Sequence, residues 1–294
     1  NGLDPLVADA DGDADGDGLT NYEEFLNGSS PDSADTDGDT FTDDWERDWG
    51  TSATNAADPI VVDDDHADDP QPRDPMWSNT NENGSATAPF DAIQEGVDAA
   101  SNGVTVLVMD GLYDGPGNYD IDPNGKELVI TSLNGPSATT NTSYGVGAGF
   151  LFQSGETTNT VLRGFSITTT LNACSDGDCD QRHGIVCDGA SPLIVDCVVY
   201  ECELRGISCR LGAAPVVSNS VVDRCLFGVY AEGGSTPVLR DSTISNSGNH
   251  PELEESGTGI VALESNGLLL SNCVVLASTG RGVWLRNDPA ARFE

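Results

Sequence analysis

Two stretches near the start of the chain space carboxylates as a cation-holding loop would. DADGDGLTNYEE carries Asp13, Asp15 and Asp17, and closes on Glu24. Counted as a twelve-residue loop, these are positions 1, 3, 5 and 12, with Gly18 at the turn position 6 and Asn21 at position 9. Leu19 falls at position 7, where the backbone carbonyl is the ligand. Twenty-two residues later DTDGDTFTDDWE repeats the pattern with Asp35, Asp37, Asp39, Phe41, Asp43 and Glu46. Here Thr40 replaces the turn glycine, so this loop is expected to be strained or differently shaped. Upstream, Asp9 and Asp11 extend the first array toward a further ion. Hard oxygen donors at alternate positions surround calcium better than magnesium, which demands strict octahedral geometry. Calcium is the expected cofactor. Without it the acids repel one another, so folding of this segment and metal binding are expected to be one event.

The whole chain shares that acidity. Its 294 residues hold 12 Lys+Arg against 49 Asp+Glu, a formal charge of -37. Binding to nucleic-acid phosphates needs the opposite sign and is not expected. No apolar run approaches the ~18 residues of a membrane span, so membrane insertion is not expected either. The chain begins at Asn1 with no Met or signal peptide and reads as a processed or truncated product.

From Gly184 onward the sequence repeats. GIVCDGASPLIVDCVVYECELR, GISCRLGAAPVVSNSVVDRCLF, GVYAEGGSTPVLRDSTISNSG and GIVALESNGLLLSNCVVLASTGR begin at Gly184, Gly206, Gly228 and Gly259, and a fifth copy opens at Gly282. Registered on their glycines, the copies align Pro192, Pro215 and Pro237 with Leu268, then Asp196, Asn219, Asp241 and Asn272, then Val199, Val222, Ile244 and Val275. The apolar runs are short, β-branched and broken by Gly, Pro and Asn, which marks strands. Strands at a coil-length period imply a solenoid in which each coil buries its apolar face on the next.

The pattern G-I-x-x-x…P-x-I-x-N-C-x-I resembles the right-handed parallel β-helix proteins of the pectate-lyase-like superfamily, over roughly residues 86–294. That resemblance implies a mainly β fold, a right-handed parallel β-helix solenoid with an N-terminal capping helix. Residues 88–103, with Phe90, Ile93, Val97 and Ala100 at helical spacing, are the expected cap. The aspartate loops resemble bacterial thrombospondin type 3 repeats, with EF-hand-like spacing, and less closely dockerin, which normally ends each loop with Asp. The expected organisation is an acidic calcium-binding region at 1–60, a linker at 61–85 and the β-helix at 86–294.

Strand alternation points Ile185, Cys187, Ile207, Cys209, Val229 and Ala231 inward, and Val186, Ser208, Tyr230, Val261 and Trp284 outward. The Asn/Asp row reads as a turn ladder, and Asp188–Arg210–Glu232 as a charge ladder along the axis. Tyr230 and Trp284 are candidate sugar-stacking aromatics. All eight cysteines lie between 174 and 273. Cys174 and Cys179 flank a short SDGD loop and are the candidate disulfide, whereas Cys197 and Cys273 sit three coils apart and cannot meet.

Two coils carry insertions at one corner, the first ending at His183 and the second containing His250. Between them lie Glu201, Glu203, Arg205, Asp223 and Arg224, a candidate ligand groove walled by the inserts. The superfamily includes polysaccharide lyases and hydrolases. Lyases of that kind need a Lys or Arg base, and the one lysine, Lys126, lies off the repeated face. The composition fits better an extracellular or cell-surface calcium-binding protein whose rod serves structure, adhesion or glycan binding. A polysaccharide or another surface protein is the expected partner. The chain stops in mid-coil at Glu294, so either it continues or the open end pairs with another copy into fibres. The alternative reading is a calcium-dependent polysaccharide lyase or glycoside hydrolase.

Overall fold

A computed structural model describes residues 8–65, 82–144, 146–169, 182–248, 257–276 and 278–294. Three parallel sheets of nine, seven and six strands run the length of the repeat region. Each regular coil gives one strand to each sheet, as in His183–Asp188, Leu193–Val195 and Val198–Tyr200. The chain thus climbs by one strand spacing per turn, and this is the parallel β-helix that the period implied.

The registers are those of the aligned repeats. Ile207 pairs with Ile185 and Val229, and Val229 with Ile260. Val199 pairs with Ile167 and Val222, and Ile244 with Val222 and Val275. Stacking identical positions lets each inward row run as an unbroken apolar line. The core changes character along the axis: Tyr113, Phe150, Phe152 and Phe165 fill the early coils, while small residues such as Cys187, Cys209, Ala231 and Ala262 line the later ones. Among the described residues Cys187, Cys197, Cys202, Cys209, Cys225 and Cys273 are free thiols. Burial pushes the Cys197 thiol up to about 11 and the Cys209 thiol to about 12, so both are inert. Cys174 and Cys179 lie outside the described residues.

The turn ladder is present. Asp196, Asn219, Asp241 and Asn272 all take positive φ, near 50°, a conformation that Asn and Asp tolerate better than most residues. The Asn219 Nδ2 donates to Asp196 Oδ1 and the Asn272 Nδ2 to Asp241 Oδ1, each at 2.6 Å. Asn219→Ala loses that bond and places alanine in a left-handed turn. The expected cost is about 1–2 kcal/mol, read from the denaturant midpoint.

The start of the solenoid departs from the expected division. β1 (Ile60–Val62) lies at one end of the nine-stranded sheet and pairs in parallel with β2 (Thr105–Val108). The boundary at 60/61 therefore falls inside a strand, and the first residues assigned to the linker are buried sheet. Its apolar triplet IVV forms a strand because β2 offers it an edge. The capping helix is shorter than residues 88–103: α3 spans Ile93–Ala99 and buries Ile93, Gly96 and Val97. Phe90 lies outside it because its backbone bridges to Val62 instead.

Candidate metal centres

Each aspartate loop leads into a seven-residue helix: α1 (Asn21–Asn27) after the first, α2 (Asp43–Trp49) after the second. Thr20 caps α1 in a reciprocal capping box with Glu23. Both helices end on a left-handed glycine, Gly28 and Gly50. Loop and helix together give the segment the local order that its repelling charges oppose.

The two loops have the same internal wiring. Asp13 Oδ1 accepts from the Gly16 amide and Asp35 Oδ1 from the Gly38 amide, each at 2.7 Å. The second oxygens accept from Gly18 and Thr40, at 3.2 and 3.0 Å. Asp17 and Asp39 each take the amide two residues on, from Leu19 and Phe41. Thr40 has a φ of 90° where a glycine would be at ease, which is the strain that its position in the loop required. Phe41 stacks on Trp45, with ring centroids 4.3 Å apart, and Trp45 on Trp49, so an aromatic column braces the second loop.

This wiring gathers acids. Carboxylate oxygens of Asp13, Asp15 and Asp17 lie within 4.8 Å of one another, as do those of Asp35, Asp37 and Asp39. Glu24 and Glu46 are 0% exposed, and neither oxygen of either side chain has a hydrogen-bond partner. Asp15 Oδ2 and Asp37 Oδ2 are likewise buried without a partner. Burial first, and neighbouring aspartates second, push Glu24 up to about 7, Glu46 to about 8 and Asp39 to about 6. A buried carboxylate facing other carboxylates with no donor is costly, and a divalent cation resolves it. The donor set is all oxygen and fits calcium.

The position-nine residues differ. Asp43 is held by Thr36, whose amide and hydroxyl donate at 2.9 and 2.7 Å. Asn21 gives its Nδ2 to the Asp9 carbonyl and keeps a buried, unpartnered Oδ1. The loops also touch: the Asp44 amide donates to Asp17 Oδ2 at 3.3 Å. A third trio, Asp63, Asp64 and Asp65, gathers just after β1. The run of acids was visible in the sequence without loop spacing to mark it.

Of the candidate groove residues, Glu201, Asp223 and Arg224 pair with one another, while Glu203 and Arg205 are held by other partners. Glu203 is buried and forms an ion pair with Arg182, and its amide donates to the Thr169 hydroxyl oxygen at 3.0 Å. Arg224 pairs with Glu201 and Asp223, both at 2.9 Å. Arg205 lies 3.8 Å over the Tyr230 ring, donates to Ser208 and pairs with Glu232 at 3.3 Å. One face of Tyr230 is therefore taken by a guanidinium, and Arg281 covers Trp284 in the same way at 4.7 Å. His183 is a buried strand residue in register with Arg205. His250 lies outside the described residues. Val186, Ser208 and Val261, expected on an exposed outer face, are buried.

Arg210 is held bidentate by Asp188, both bonds 2.7 Å, and with Glu232 turned to Arg205 the charge ladder becomes two separate pairs. Beside them is a recess of about 480 Å3, which Leu211, Leu263, Glu264 and Arg286 also line. The repeat alignment did not single it out, because its lining comes from the turns that follow the long strands, where the coils share no chemical motif.

Residues 183–294, the regular part of the solenoid, match the family model for the right-handed β-helix region. The crystal structure of pectate lyase Pel9A is similar in fold, with a TM-score of 0.45 and 13% identity over 71% of this chain. The chain spans 64% of that protein's length. A search of curated proteins finds no match. The family match and the three parallel sheets make the repeat region a right-handed parallel β-helix.

Proposed function

We propose that this protein is a calcium-binding rod of the extracellular space or cell surface, in which two calcium loops are joined to a β-helix that presents a surface to glycans or other surface proteins. The observation that carries the calcium part is the pair of fully buried, donor-less glutamates, Glu24 and Glu46, each facing the charges of its loop's aspartates. A fold keeps such groups only where something cationic meets them. Support for the rod is the stacking of like residues from coil to coil, which builds a stiff scaffold and leaves the varied chemistry to corners. The recess beside Arg210 is within the range of small-ligand sites, roughly 300–1,000 Å3, and its arginines and acids offer donors and acceptors to sugar hydroxyls.

Calcium titration of the chelated protein is expected to increase helical circular dichroism and protect residues 8–58 from protease, with two or more ions bound. Unchanged spectra and proteolysis at millimolar calcium would sink the calcium reading. A glycan panel in calcium, scored for retention and for new unsaturated ends, tests the partner. Retention without product supports a binding rod, and product replaces it with a lyase.

A further inference from the structure

We infer that the second calcium loop is a latch on the first rung of the solenoid, where a cation fixes β1 against β2 through Asp58. The inference rests on the calcium reading of that loop and adds a role for its occupancy.

Residues 51–58 leave α2 and pass back along the loop. The Thr51 amide donates to the Glu46 carbonyl at 3.0 Å, the Asn55 amide to the Ser52 carbonyl at 3.0 Å and the Asp58 amide to the Asn55 carbonyl at 2.8 Å. Asp58 lies close enough to Asp37 and Asp39 to interact with both charges. It is itself buried, and its Oδ1 accepts from the Thr105 amide at 2.8 Å. Thr105 is the first residue of β2. Two residues after Asp58, β1 begins, and it pairs with β2 from Ile60↔Val106 to Val62↔Val108. Whatever secures Asp58 therefore secures the end of the nine-stranded sheet.

Without a cation, Asp35, Asp37, Asp39, Glu46 and Asp58 oppose one another, and among the described residues no Lys or Arg forms an ion pair with any of them. That repulsion strains the contact that holds the segment to the sheet, Asp58 to Thr105, and burial strengthens it. A divalent cation would cancel much of the charge and leave that hydrogen bond in place. The first loop reaches α2 through Asp44 and Asp17, one step further from the sheet. Loss of β1 would uncover the edge of β2, a template for unwanted pairing. Occupancy of the second loop thus governs whether the sheet is capped.

Amide hydrogen exchange across residues 105–108, measured on the full chain together with calcium uptake by calorimetry, tests this. In the unaltered protein calcium is expected to slow exchange there by at least ~10-fold. Glu24→Gln should leave this response intact, and Glu46→Gln should remove it. Asp58→Ala should keep calcium uptake and lose the response. Asp58→Asn keeps an acceptor for the Thr105 amide but carries no charge, so exchange should be slow with or without calcium, which a merely structural role for Asp58 would not produce. Calcium uptake by the second loop with unchanged exchange at 105–108 overturns the latch and leaves the calcium reading standing. No calcium uptake at all overturns the calcium reading, and the latch with it.

Discussion

Glu46→Gln is expected to lower calcium affinity at the second loop by at least ~100-fold, and Glu24→Gln to do the same at the first, by analogy with the 10–100-fold cost of losing even an outer partner of a metal site. Glutamine has nearly the same shape, so packing around α1 and α2 survives while the charged, two-oxygen ligand of position 12 is lost. The sign of the stability change separates this from a structural role. In chelator each substitution should raise the melting temperature, because it removes a buried carboxylate that faces other acids and has no donor. In calcium each should lower it, because the linkage to bound metal disappears. Glu23→Gln is the control. Glu23 is exposed and serves the Thr20 capping box, which glutamine can also complete, so this substitution should leave calcium affinity nearly unchanged. Calorimetric titration with thermal melts reads all of these. Equal melting shifts in chelator and calcium would mean that the glutamates are packing groups.

Gly206→Ala is expected to destabilise the solenoid by about 3 kcal/mol, the upper end of ordinary overpacking. An added Cβ would stand 2.5 Å from Val222 Cγ1, 2.7 Å from the Gly228 carbonyl oxygen and 3.1 Å from Cys225 Sγ. The carbonyl belongs to the next coil and is fixed by the strand spacing, so it cannot yield as a side chain would. Gly184, Gly228 and Gly259 meet the equivalent atoms at equivalent distances. The repeated glycine is therefore a spacer between coils, and the Cys or Ser at the following corner occupies the room it leaves. Gly212→Ala is the comparison: nothing lies within 4 Å of its added Cβ, but φ is +79°. Its cost should be the left-handed penalty alone, about 1–2 kcal/mol. Denaturant midpoints for the two variants check the difference, and a Gly206→Ala cost below that of Gly212→Ala would refute the spacer role.

What was legible in the sequence follows from how local each feature is. The coils from Gly184 on could be registered by eye because every copy meets the same neighbours, and the observed pairings of Ile207 and Val222 are those of the alignment. The early coils could not, since strands such as Thr139–Thr142 and Phe150–Phe152 share no motif with the rest. The calcium loops were legible because all their carboxylates lie within twelve consecutive residues. The contact between Asp58 and Thr105 spans 47 residues and has no sequence signature. For the groove, charge was visible and pairing was not. Arg205 reads as a free cation on paper, and only the fold shows it spread over Tyr230, Ser208 and Glu232.

The Asn/Asp ladder also carries a parity. Asn219 donates to Asp196 and Asn272 to Asp241, so donor and acceptor coils alternate along the axis. Excising the single coil 206–227 would bring Asp196 beside Asp241, two carboxylates in place of an amide and a carboxylate. Excising both coils, 206–258, would bring Asp196 beside Asn272 and restore the bond. A rod wired in this way can be lengthened or shortened with little penalty only two coils at a time.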